Sequence, residues 1–332
     1  MTDIIRRDFF VETEDGVQIA IREVKRTGKS DKVPMILLHG TRIPGLSEFD
    51  LPVPNGSLAA DLAAKGHVCY IVDARGFGRS ERPPEMDAPP EAYAKSVARS
   101  IDITRDVDAA VNHLIAATGQ TKVALFGWGV GGTIVAMYAA LKPEKVSHII
   151  GYMMIYGGAG THKQFKPGSI WNDPERPDRF NKKEFGNYAW NGLELLDHHW
   201  NRQIPIEDKA AWRDPAMLSA FRQALIDGDP KANDFDPPQY RSPNGMLEDL
   251  FVMGCRVEPL FSATQIYCKV MIARGEFDGL CRVEDMEAFM DRLTNAEEIV
   301  FWNPPNTTHY ILLDRPERGR DALLARMDAF LA

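Results

Sequence analysis

Cysteine is scarce in this chain: there are four in 332 residues, Cys69, Cys255, Cys268 and Cys281, and none forms a C-x-x-C pair. That usage does not read as a disulfide framework, and a reducing compartment fits it. Cys69 and Cys268 sit in apolar runs and read as small buried hydrophobes. Long apolar stretches are also missing. None approaches the roughly 18 residues that would span a bilayer. Arg6-Arg7 near the start are followed by no apolar run, because Asp8, Glu12, Glu14 and Asp15 interrupt it. No signal peptide is read, and the cytoplasm is the expected compartment. Positive charge is in deficit, with a net charge of -8. Nucleic acid and anionic membrane are therefore not expected as partners. No H-x-x-x-H spacing occurs, and no internal repeat or low-complexity tract is found. His198-His199 beside Asp197 is the one local hint of a metal. Adjacent histidines on a helix face apart, so a surface role is expected for them, with no metal and no cofactor.

What remains is an ordinary globular composition, 44% hydrophobic and 26% charged. Phe9 to Glu14 and Val17 to Val24 read as strands around an Asp15-Gly16 turn. Short apolar strands follow at Met35 to Leu38, Val68 to Val72, Lys122 to Phe126 and within Val146 to Tyr156. Helical patterns separate them at Leu58 to Lys65, across Val97 to Ile115, and at Val130 to Leu141. From about 161 to 262 the alternation breaks. This stretch holds Trp171, Trp190, Trp200 and Trp212, many prolines and short helical pieces. Strand and helix resume with Val270 to Ala273, Val283 to Leu293, Ile299 to Trp302 and Pro316 to Leu331. Such alternation predicts a mostly parallel sheet with helices on both faces. The expected organisation is a core of 1–160 and 263–332 with an inserted helical cap, 161–262.

The sharpest local feature is Gly127-Trp128-Gly129-Val130-Gly131-Gly132, between a strand and a helix. Gly127, Gly129 and Gly132 match the dinucleotide pattern G-x-G-x-x-G. That pattern wants an acid about 20 residues on, and the strand that follows has none. The competing reading is a strand-turn-helix elbow, G-x-S-x-G, with glycine where the serine stands.

The surroundings decide in favour of the elbow. Leu37-Leu38-His39-Gly40, then Asp73 to Ser80 (DARGFGRS), then Arg274 to Asp278 (RGEFD), then Thr308-His309-Tyr310 with Arg315-Pro316-Glu317 occur in one order. Together they resemble the α/β-hydrolase superfamily over nearly the whole chain outside 161–262. The resemblance implies that fold and a lidded serine esterase or lactonase. Position 129 would be the nucleophile site, with Asp278 as acid and His309 as base. Glu276 is the competitor for the acid role. The oxyanion hole would come from the backbone N–H groups of Thr41 and Val130. His39, Asp73 and Arg75 would build loops.

The chemistry needs those residue types. A serine alcohol is a poor nucleophile until a histidine takes its proton, and that histidine needs a carboxylate to hold its tautomer. Glycine cannot form an acyl-enzyme. Either a serine enzyme was deliberately disabled at Gly129 or the chain naturally lacks its nucleophile. The first is favoured, because Asp278 and His309 are both in place. A water activated by His309 is a third route to slow turnover.

The expected activity is hydrolysis of a carboxylic ester or lactone, in a nucleophile-less form. The alternatives are a naturally non-catalytic binding protein or receptor, and a C–C bond or amide hydrolase. Arg42 and Trp128 are pocket candidates; Arg42 could meet a substrate carboxylate or pair with Asp or Glu on the surface, and the second is preferred. Phe165, Phe180, Phe185, Phe221, Phe235, Phe251 and the four tryptophans of 161–262 could line a pocket for a bulky or aromatic group, most of them serving as core. The expected partner is a small ester-like molecule, and the oligomeric state is left open.

Overall fold

The computed structural model describes residues 3–92 and 96–332. Its strands are β1 (Ile4–Glu12), β2 (Gln18–Arg26), β3 (Met35–Leu38), β4 (Cys69–Val72), β5 (Val123–Trp128), β6 (Val146–Tyr152), β7 (Tyr188–Gly192), β8 (Gln239–Pro243), β9 (Lys269–Ala273) and β10 (Glu298–Trp302). Eight of them form one sheet in the order β1-β2-β4-β3-β5-β6-β9-β10. β2 pairs antiparallel with β1 and β4, and every pair from β4 to β10 is parallel. β1 and β2 close over the Asp15-Gly16 turn, where Glu12 faces Gln18.

The interior strands β3, β4 and β5 are buried at every residue, as near-continuous apolar runs in a parallel sheet should be. Their side chains alternate between two cores. Ile36 and Leu38 join the cluster containing Ile103, Val107 and Ile134. Met35 and Leu37 join the one containing Leu58, Leu62, Leu323 and Met327. The helices Ser100–Thr118 and Val130–Leu141 thus cover one face, and Leu58–Ala64 and Arg320–Phe330 the other. The expected α/β architecture holds.

The stretch from 161 to 262 carries the helices Glu194–Gln203, Pro215–Asp227 and Gly245–Cys255. It also carries an antiparallel ribbon of β7 and β8, which a mostly helical reading misses. The two strands stand far apart in sequence, and each is short and holds Asn, Gly or Pro, so neither has a local strand signature. Phe165, Trp171, Leu247, Leu250 and Phe251 belong to the same buried cluster as Ile36 and Leu125. Trp200, Trp212 and Phe221 belong to the second cluster.

Candidate active site

The C-terminal ends of the parallel strands converge on Gly129, as open α/β sheets direct their sites. Gly129 links β5 to the helix Val130–Leu141 with φ 57 and ψ -125, a turn that glycine makes without strain. Its neighbours are glycine for a different reason. A Cβ on Gly127 would lie 2.3 Å from the Gly131 carbonyl oxygen, one on Gly131 2.2 Å from that of His39, and one on Gly132 2.7 Å from Met154 Cβ. At Gly129 the nearest atom to such a Cβ is Gly40 Cα at 3.8 Å. A side chain has space there, and only the backbone angle opposes it.

His309 follows β10, and its Nδ1 lies 2.6 Å from Asp278 Oδ2. The other Asp278 oxygen accepts the N–H groups of Leu280 at 2.9 Å and Cys281 at 3.1 Å. Burial alone would raise the Asp278 pKa. The His309 imidazole and the two amides outweigh burial and hold it down at about 2. Glu276 is exposed and accepts the Asn306 N–H, away from the histidine.

The second nitrogen of His309 is also engaged. Trp128 Nε1 donates to His309 Nε2 at 2.9 Å. An indole N–H is a donor only, so Nε2 is the unprotonated nitrogen and Nδ1 carries the hydrogen given to Asp278. Trp128 is fully buried, packed against Phe49, Tyr152 and Tyr310.

Asp278, Cys281 and His309 come within 4.8 Å of one another, a spacing that would admit a metal ion. The donor set does not fit one. Both His309 nitrogens and both Asp278 oxygens are already hydrogen-bonded, and burial pushes the Cys281 thiol well above its ordinary range. Among the described residues, the N–H groups of Thr41 and Val130 make no hydrogen bond. That of Val130 opens its helix, where the dipole favours negative charge.

Thr41, Trp128, Gly129, Val130, Cys281 and His309 line a cavity of about 250 Å³, with Asp278 buried behind the histidine. A larger depression of about 610 Å³ lies elsewhere, among Arg6, Asp50 and Gly228, and contains none of them. The wall opposite Gly129 is mainly aliphatic, with Leu195, Leu196, Leu247 and Leu250, and Trp171 is its one aromatic from 161–262 among the described residues. Most of the aromatic residues named from 161–262 serve as core, as expected, and Trp171 alone of them lines the cavity. Phe180 stacks on Phe185 and Trp200 on Tyr310, so the ring mass packs the segment onto the sheet.

Three corrections concern polar residues. His199 is not a surface residue: it lines the cavity, with Nδ1 2.9 Å from the Tyr310 hydroxyl. Burial and the nearby His309 push its pKa down to about 4. Its neighbours diverge, since His198 is exposed and Asp197 pairs with Arg222. Arg42 makes no surface ion pair. It lines the cavity, its backbone has φ 69, and Nη1 donates to Asn191 Oδ1 with no carboxylate partner among the described residues. Glu48, which sequence reasoning missed, is 2% exposed, and its Oε2 accepts the Gly40 N–H at 3.1 Å. Burial holds its carboxyl well above the usual range. No motif announces it, because its meaning comes from the fold around Gly40. The loop residues are structural: His39 bridges Gly40 O and the Ala74 N–H, Asp73 accepts the N–H groups of Gly45 and Arg79, and Arg75 pairs with Asp15 and Asp106.

The chain belongs to the alpha/beta hydrolase fold family, whose sequence model matches residues 33–316. It is 33% identical over 149 residues to a Sus scrofa protein named 1-acylglycerol-3-phosphate O-acyltransferase ABHD5, a match covering 45% of this chain and 33% of that one. The aligned region thus spans about a third of that relative's length. Among solved structures, the esterase RhEst1 of Rhodococcus sp. ECU1013 superposes with a TM-score of 0.59 at 18% identity, covering 98% of each chain. An epoxide hydrolase of Vigna radiata, VrEH1, superposes with a TM-score of 0.60 at 14% identity over 98% of this chain and 97% of its own. At such identities the likeness is one of fold.

Proposed function

We propose that this chain is built as a carboxylic ester or lactone hydrolase of the acyl-enzyme type and stands in a form without its nucleophile. The observation that carries this reading is the His309–Asp278 pair in a cavity that Gly129 and the unbonded amides of Thr41 and Val130 also line. Backbone amides free of structural bonds are the donors that could stabilise the oxyanion of an attacked carbonyl. Residues 161–262 act as a cap on a core formed by 1–160 and 263–332, and contribute the aliphatic wall. The ligand is a small ester-like molecule. The names of the Rhodococcus esterase and the Sus scrofa acyltransferase both fit chemistry at an acyl carbon. The space for a side chain at 129 favours a serine removed from a working enzyme. C–C bond or amide cleavage would use the same groups.

A second reading is a naturally non-catalytic binding protein. The Trp128–His309 hydrogen bond favours it, because a base whose lone pair holds an indole N–H cannot at the same time take a serine proton. A water activated by His309 would meet the same obstacle.

Hydrolysis of a panel of esters and lactones by the Gly129→Ser variant tests both. The hydrolase reading expects activity at least about 10³-fold above the glycine form, abolished by His309→Ala. The binding reading expects a folded but inert Gly129→Ser, with activity emerging only when Trp128→Phe also frees Nε2. Inertness of both variants removes the hydrolase reading.

A further inference from the structure

Arg42, Glu48 and Tyr240 are polar groups that the reaction at Gly129 leaves unused. Arg42 projects from the loop after β3 into the cavity, and its positive φ departs from the conformation arginine prefers. Its guanidinium is anchored by one neutral oxygen, that of Asn191. Asn191 is itself fixed, with Nδ2 donating to Ser242 Oγ at 2.9 Å and to Tyr240 O at 3.2 Å. The cation is thus positioned and not neutralised. The Tyr240 residue is 2% exposed, and its hydroxyl has no hydrogen-bond partner among the described residues. Tyr240 adjoins the Arg42 anchor, since its backbone oxygen accepts Asn191 Nδ2. Glu48 is a cavity-wall acid with one oxygen on the Gly40 N–H and no cation paired with it among the described residues. An orphaned buried hydroxyl and an unneutralised cation each cost free energy unless a ligand completes them.

We propose that Arg42, Tyr240 and Glu48 form a carboxylate-binding subsite at this cavity. The ligand is then an amphipathic monocarboxylate whose apolar body lies against Leu195, Leu196, Leu247 and Leu250. The inference rests on the reading of the cavity as the ligand site. A carboxylate suits the fork of a guanidinium, which can donate two parallel bonds to it. The Tyr240 hydroxyl supplies a further donor, and burial favours the uncharged form of the Glu48 carboxyl. One guanidinium balances one negative charge. A dianionic phosphate would bring a second charge into the same desolvated space with nothing to meet it, which favours the carboxylate.

The test compares binding of monomethyl adipate, which carries an ester and a free carboxylate, with that of dimethyl adipate, its neutral counterpart. Tryptophan fluorescence titration of the intact chain reads both. The expected result is a preference for the acid of about tenfold to a hundredfold, the scale of a charge-assisted hydrogen bond. Arg42→Gln should remove the preference, the acid losing more affinity than the diester. Tyr240→Phe, which deletes one oxygen atom, should weaken the acid about threefold to tenfold, and it keeps the subsite testable if Arg42→Gln fails to fold. Leu195→Trp, at an exposed cavity-lining position, should weaken both probes. Equal affinity for the two probes, with both sensitive to Leu195→Trp, overturns the subsite and leaves the ligand-site reading standing. Absence of binding by either probe, or binding indifferent to Leu195→Trp, overturns both.

Discussion

At the scale of single residues, Asp278 has the most measurable electrostatics. Its ordinary pKa near 3.8 falls to about 2 in the folded chain because His309 and two amides favour the carboxylate over the opposition of burial. A depressed acid contributes stability that is full above its unfolded value and lost as pH falls through the folded one. The window is therefore from about pH 4 down to about pH 2, and the contribution is about 2 kcal/mol. Urea unfolding across that range should show the loss, and Asp278→Asn should lack this part of the acid dependence. An unchanged pH profile in the variant would contradict the geometry of the pair. Both nitrogens of His309 are assigned by their partners, and the tautomer with hydrogen on Nδ1 is the one a triad requires. What departs from a working triad is the donor on Nε2, which is an indole where a serine hydroxyl would be.

Among the elements, the turn between β5 and the helix Val130–Leu141 sorts its glycines by physics. Gly131 is close-packed against a backbone carbonyl that cannot move away, while Gly129 is open and constrained by its backbone angle alone. Gly129→Ala should cost about 1–3 kcal/mol, the scale of one residue held at unfavourable φ. Gly131→Ala should cost at least about 3 kcal/mol, because the sheet and helix must separate to admit the methyl group. Chemical unfolding of the two variants checks the order. A reversed order would mean that the tight turn lies elsewhere. The turn also explains what the sequence could and could not display. A strand of consecutive apolar residues, a glycine cluster and a histidine loop each carry a local signature, so β3, β5, Gly129, Asp278 and His309 are readable one by one. Glu48, His199 and the Arg42–Asn191 contact join segments far apart in the chain, and the acid, imidazole and guanidinium take their character from burial that no short window records. The β7–β8 ribbon is hidden for the same reason.

For the molecule as a whole, residues 161–262 share both hydrophobic cores with the sheet. Such sharing predicts one cooperative unfolding transition. Four of the six tryptophans lie in this segment and two outside it. Tryptophan fluorescence therefore reports mainly on the segment and far-UV circular dichroism on the whole. The two transitions should coincide in urea. An earlier fluorescence transition would mark 161–262 as a unit that opens alone, and would loosen the assignment of the cavity wall to it. The parallel sheet and its two covering layers follow from apolar patterning alone, and the family's sequence model agrees over residues 33–316.

On the proposed hydrolase reading, His309, Asp278 and the amides of Thr41 and Val130 would serve a serine restored at position 129. Intact-mass analysis after exposure to an alkyl fluorophosphonate tests it most directly, because such a probe bonds only to a serine activated by its surroundings. The glycine form should remain unmodified. Gly129→Ser should gain one adduct, located at residue 129 by peptide mapping, and Gly129→Ser with His309→Ala should gain none. A folded Gly129→Ser chain that stays unlabelled, or a glycine form that is labelled at another residue, would contradict the claim.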